Sequence, residues 1–211
     1  MAESAIVMEQ ETGTILYSKN MDDQHYPASI TKIMTALLVL ENCDLDETVT
    51  FSAEAVYGTE LGSSSIARDV GEEMTVEQTL YGMMLESANE CAYALGEHVA
   101  GDIPTFVDMM NERAKELGCT NTHFNNTNGL PDEEHYTSAH DMALIARAAY
   151  AIPKFAEIVG TKNYTIPPTN KHEDSTPLNN HHQMLLDFLT ARHSKQSLSA
   201  CIHESARLPG S

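Results

Sequence analysis

The spacing of apolar residues divides the chain into a β-rich start, a helical middle and a short later strand. Ala5-Ile6-Val7-Met8 and Thr14-Ile15-Leu16-Tyr17 are strand-prone runs on either side of Glu11-Thr12-Gly13. Residues 5–19 therefore read as a β-hairpin, with Gly13 free to take a positive φ in the turn. A polar loop ending in Pro27 follows. Ile30, Ile33, Met34, Leu37 and Leu38 then recur at helical spacing, which predicts a helix from about Ser29 to Asn42.

Residues 44–73 show no clear period and read as irregular, with the small-residue patch Gly62-Ser63-Ser64-Ser65 inside them. Thr75 and Gln78 make a capping box, opening a helix that runs to Met84. Ser87-Ala88-Asn89 interrupts it, and a second helix runs from about Glu90 to Ala100, stopped by Gly101. Pro104 sits at the first turn of a helix that closes at Gly118, and Ser138 with Asp141 caps another through Ala149. Asn163–Ile166, followed by Pro167-Pro168, reads as a short edge strand. This order predicts a sheet whose faces are covered by helices, with a helical lobe inserted at about residues 50–150.

Composition removes several functions. At 211 residues the chain can bury a substantial core, but its formal net charge of −19 is unsuited to nucleic acid or to a polybasic grip on anionic lipid. No run reaches the roughly 18 apolar residues of a membrane span, and Met1-Ala2-Glu3-Ser4 leads directly into a strand without a basic and apolar leader. Cys43, Cys91, Cys119 and Cys201 are far apart, which favours free thiols, with one disulfide open if the protein is exported. The ten histidines form no compact ligand motif, and His181-His182 reads as a surface loop. No metal and no cofactor are expected.

The chemistry is carried by Ser29-Ile30-Thr31-Lys32. A serine hydroxyl needs a base, and a lysine three residues on shares its helix face. Ile30, Ile33, Met34 and Ala36 surround Lys32 with apolar groups that disfavour its ammonium form. Alone, the motif is weak, and a serine helix cap followed by a lysine reaching for solvent is the commoner reading. Ser87-Ala88-Asn89 is weaker still, since Ser18-Lys19-Asn20 has the same form and a turn between helices suits both residues.

Longer segments add weight. Tyr26-Pro27-Ala28-Ser29-Ile30-Thr31-Lys32-Ile33-Met34-Thr35-Ala36 resembles the nucleophile segment of the D-alanyl-D-alanine carboxypeptidases of the low-molecular-mass penicillin-binding type. Leu80-Tyr81-Gly82-Met83-Met84-Leu85-Glu86-Ser87-Ala88-Asn89-Glu90 is similar to their second motif. Gly129-Leu130-Pro131-Asp132-Glu133-Glu134-His135-Tyr136-Thr137 and Tyr164-Thr165-Ile166-Pro167-Pro168-Thr169-Asn170 resemble later segments, in family order. The resemblance implies an α+β fold of the β-lactamase/transpeptidase type: an antiparallel sheet flanked by helices, a helical lobe, and a site in the cleft between them. It further implies Ser29 as acyl-forming nucleophile, Lys32 as base, Ser87 as proton relay and Asn89 as a holder of the substrate amide. The implied partners are a peptidoglycan stem peptide ending in D-Ala-D-Ala and β-lactams as inhibitors, outside the cytoplasmic membrane.

The likeness lapses after about residue 185, which sets a catalytic domain at 1–185 and a divergent tail at 186–211. The family's third motif, Lys-Thr-Gly, is absent, and the C-terminal strands are expected to be missing or altered. The tail carries Arg192, Lys195 and Arg207 against Asp187 and Glu204, a net +1 on an otherwise strongly acidic chain. A shifted reading frame explains this better than the alternative, a helix with Leu185, Leu186, Leu189, Leu198, Cys201 and Ile202 along one face. Low turnover is expected of the chain as written. Two other functions stay open: a non-catalytic penicillin-binding remnant and a serine β-lactamase.

Overall fold

A computed structural model describes residues 2–58 and 62–181, and the backbone of 197–202. Two antiparallel strands, β1 (Ser4–Glu9) and β2 (Ile15–Lys19), form the expected hairpin. Strand β1 alternates, with Ser4, Ile6 and Met8 buried; Ile6 and Met8 pack on Ala139 and Ala143. Its period of two turns one face toward the helix that carries those alanines.

That helix is one of seven among the described residues. A 3-10 turn (Ala28–Thr31) leads into α1 (Lys32–Asn42), as the spacing predicts. Helices α3 (Val76–Leu85), α4 (Asn89–Ala100), α5 (Ile103–Glu116) and α6 (Ala139–Tyr150) follow within a residue or two of their predicted bounds. The capping box forms as read: Thr75 Oγ1 accepts from the Gln78 N–H, and Gln78 Oε1 from the Thr75 N–H. Such a cap is worth about 1 kcal/mol. Gly101 closes α4 in the left-handed region, at φ 85°.

Helix α1 is the axis of the main core, in contact with α3, α4, α5, α6 and α7 (Pro153–Gly160). Leu37, Leu80, Leu95, Phe106, Met110, Ile145 and Phe155 are all within 2% of full burial there. Each such side chain stabilises the fold by about 1.5–3 kcal/mol relative to exposure.

Besides α7, which the sequence reading did not foresee, three parts depart from it. Residues 44–73 are not irregular throughout: β3 (Thr48–Thr50) pairs antiparallel with β4 (Glu73–Thr75), and α2 (Ala53–Tyr57) lies between. Val49 and Met74 face each other on the buried side of that ribbon. The predicted strand β5 (Asn163–Ile166) gains an antiparallel partner, β6 (Thr176–Asn179). Last, β7 (Ser197–Ile202) is a strand on the second edge of β1, giving the order β2-β1-β7. The helical alternative for the tail thus fails at Leu198, Cys201 and Ile202, while Leu185, Leu186 and Leu189 lie outside the described residues.

Candidate active site

The first wall of the site is the head of α1. Ser29 stands exposed on the 3-10 turn, and Lys32, one turn on, is only 2% exposed. Lys32 Nζ donates to Ser29 Oγ at 3.3 Å, to Asn89 Oδ1 at 2.7 Å and to the Asn128 carbonyl at 2.8 Å. Three acceptors match the three donors of an ammonium group. Burial nevertheless pushes the amine down to about 8, although neighbouring Cys91 and Glu90 act in the opposite direction. An amine so placed is orientated at the serine oxygen and close to losing its proton at neutral pH.

The second wall is the turn between α3 and α4. Ser87 adopts φ 58°, a left-handed conformation that costs a residue with a Cβ of order 1 kcal/mol or more. Its Oγ is buried and has no hydrogen-bond partner among the described residues. Glu86 braces the turn from the other side, accepting from the Asn179 N–H and meeting exposed His181, both at 2.7 Å. Asn89 opens α4 with its N–H on the Ser64 carbonyl, and Glu90 Oε1 accepts from Ser65 Oγ and the Ile66 N–H. The serine patch read from sequence is therefore tied to this wall.

A third wall comes from residues 125–137, of which the sequence reading gave 129–137 a likeness but no role. Gly129 sits at φ 88°, so close to the turn bearing Ser29 that a Cβ there would fall 1.8 Å from the Ala28 carbonyl oxygen. Only glycine fits. Ala28 itself is left-handed, at φ 49°. His135 is 1% exposed; its Nδ1 accepts from the Asn125 N–H, so its Nε2 carries the hydrogen and donates to Thr31 Oγ1 at 2.8 Å. Burial pushes this imidazole down to about 4, keeping it neutral. Thr35 donates to the Thr127 carbonyl, which fixes the segment against α1.

Ser29, Lys32 and Asn89 thus meet in one hydrogen-bonded group, and Ser87 lies two residues before Asn89 in the facing turn. Asn128, Gly129, His135 and Glu90 complete the surroundings and were not singled out. Two of them act through backbone contacts, which leave no side-chain signature. Gly129, His135 and Glu90 sat inside segments whose likeness was noted, and that was the one available signal. Of the cysteines, Cys43, Cys91 and Cys119 are free thiols.

The profile of the peptidase S11 family, D-alanyl-D-alanine carboxypeptidase, matches residues 1–191. The chain is 40% identical over 176 residues to the D-alanyl-D-alanine carboxypeptidase DacF of Bacillus subtilis (strain 168), covering 81% of this chain and 44% of that protein. It is 36% identical over 179 residues to the D-alanyl-D-alanine carboxypeptidase of Streptomyces sp. (strain K15), covering 81% and 62%. The crystal structure of the Streptomyces K15 DD-transpeptidase matches the fold at a TM-score of 0.81 and 33% identity, over 89% of this chain and 76% of that one. The chain thus spans less than half the length of the Bacillus relative and under two thirds of the Streptomyces one.

Proposed function

The chain belongs to the peptidase S11 family of D-alanyl-D-alanine carboxypeptidases, and on that premise we propose that it is a serine-type enzyme removing the terminal D-alanine from peptidoglycan stem peptides. Residues 1–185 are its catalytic unit in this reading. Neutral Lys32 takes the hydroxyl proton as Ser29 Oγ attacks the carbonyl carbon of the penultimate D-alanine. The tetrahedral intermediate collapses, the C–N bond breaks, and the departing D-alanine amine receives a proton relayed through Ser87. Water, deprotonated by Lys32, then hydrolyses the acyl-enzyme and frees Ser29.

Asn89 has its Oδ1 on Lys32, so its NH₂ end is the part that serves the substrate amide oxygen. The buried, unpartnered Oγ of Ser87 suits a hydroxyl whose partners arrive with substrate. A β-lactam would acylate Ser29 by the same attack. The observation that carries the reading is the Lys32 amine, 3.3 Å from Ser29 Oγ, buried and lowered to about 8. The chain would act outside the cytoplasmic membrane; among the described residues no helix is long and apolar enough to cross one.

The test runs labelling by a fluorescent penicillin beside D-alanine release from a peptide ending in D-Ala-D-Ala. Peptide mass spectrometry should place the adduct on Ser29, and Ser29→Ala should abolish both signals. Labelling is expected to outpace release, because the chain lacks Lys-Thr-Gly. Labelling with no release at all selects the non-catalytic alternative. Penicillin hydrolysis without peptide turnover selects a β-lactamase. An adduct that survives Ser29→Ala defeats the assignment.

A further inference from the structure

The histidines form no ligand motif along the sequence, yet the fold assembles a mixed donor set far from Ser29. Cys43 follows the last residue of α1, Glu47 lies in the turn before β3, and His98 is in the last turn of α4. The Cys43 thiol sulfur, a Glu47 carboxylate oxygen and a His98 ring nitrogen all lie within 4.8 Å of one another. Ligands at about 2.0–2.3 Å around a tetrahedral zinc stand about 3.3–3.8 Å apart. Side-chain shifts of about 1 Å would therefore bring all three onto one ion.

The set is held in place by its surroundings. The Asp44 N–H donates to Glu47 Oε1 at 2.6 Å, leaving Oε2 turned to His98 Nε2 at 2.9 Å. The Glu47 carbonyl accepts from the Val76 N–H and the Leu45 carbonyl from the Glu77 N–H, so the turn is tied to the start of α3. Cys43 is half-buried, while Glu47 and His98 side chains are 43% and 20% exposed, which leaves an approach for an ion and a water.

We propose that Cys43, Glu47 and His98 bind a zinc ion, with water as fourth ligand. Thiolate, imidazole and carboxylate together suit zinc and do not suit calcium or magnesium, which take oxygen ligands. On binding, the thiol gives its proton to solvent as the zinc–sulfur bond forms. The Nε2 proton that His98 donates to Glu47 moves through solvent to Nδ1, and the freed Nε2 lone pair and the Glu47 carboxylate bond to the metal. The strongly acidic chain concentrates cations near its surface. The ion's place in the fold gives it a role. Helices α1 and α4 start at Lys32 and Asn89, which meet at 2.7 Å; Cys43 lies just past the last residue of α1, and His98 in the last turn of α4. Zinc clamps the far ends of the two helices whose near ends build the site.

Cobalt(II) titrated into the whole chain should give a thiolate charge-transfer band that zinc displaces. Cys43→Ser should abolish the band and His98→Ala should weaken binding by at least about tenfold, with penicillin labelling of Ser29 retained in both. No band in the unmodified chain, or a band undiminished in Cys43→Ser, overturns the proposal. Should Cys43→Ser fail to fold, zinc must slow alkylation of Cys43 in the unmodified chain, read by peptide mass; equal rates with and without zinc overturn it. Neither measurement depends on whether Ser29 is the nucleophile.

Discussion

At the head of α1, Lys32 is 2% exposed with three acceptors on its amine, while in β2 Leu16 and Tyr17 stand 61% and 55% exposed. Both stretches were read from apolar spacing. Around Lys32 each costly feature is held by a neighbour: the left-handed Ala28 by Gly129, the turn by His135 on Thr31, the amine by Asn89 and Asn128. In β2 the ladder to β1 slips beside Leu16, leaving that residue without a partner at a bulge. The corner stores strain and a lowered amine. The strand supplies backbone hydrogen bonds and little else.

The largest effect should come from Lys32→Arg. Arginine keeps the cation but supplies no neutral amine at accessible pH. Acylation by a fluorescent penicillin should fall by about 100- to 10,000-fold, the usual contribution of a general base. If the deprotonated amine is the reactive form, as proposed, the acylation rate of the unmodified chain should rise with pH and level off above about 8. Near-native acylation by the arginine variant would make Lys32 a fixed charge and remove the contrast at its centre.

What sequence revealed follows the same division. Helix ends were legible because Thr75, Gln78, Pro104 and Ser138 act within one turn of where they stand. Helix α7 was missed, although Pro153 at its start is a usable signal. Strands β3 and β4 escaped because each is three residues long and its partner lies beyond α2. Ser29 and Lys32 were proposed from their spacing together with the likeness of the segment around them, and Asn89 from likeness. The seat of Gly129 on Ala28 and the hydrogen bond of His135 to Thr31 span about a hundred residues, as the separation of 104 for the latter shows, and no local pattern encodes such meetings.

His135 offers a second, smaller effect. Its folded value is about 4 against an ordinary 6.5, so between those limits the unfolded chain holds a proton that the folded chain does not. Stability contributed by the neutral ring is complete above about 6.5 and is lost as pH falls toward 4, by on the order of 3 kcal/mol. Urea unfolding from pH 7 to 4 should therefore show a steeper loss in the unmodified chain than in His135→Gln, which keeps a donor toward Thr31. Parallel curves would mean that the ring is not held neutral, and that the corner is less tightly built than its hydrogen bonds imply.

The smallest effect should be Leu16→Thr. Leu16 keeps most of its side chain in solvent, so little apolar area is lost, and threonine, being β-branched, suits a strand. The change in unfolding free energy should stay within about 0.5 kcal/mol, as for surface positions generally. The same substitution at Leu37, which is fully buried in the main core, should cost at least about 3 kcal/mol through the cavity and the stranded hydroxyl. Urea denaturation of the two variants side by side gives the ratio directly. A loss above about 1.5 kcal/mol at Leu16 would show that another part of the molecule covers β2. The outer strand would then belong to a packed layer, and the opposition between sealed corner and open edge would not hold.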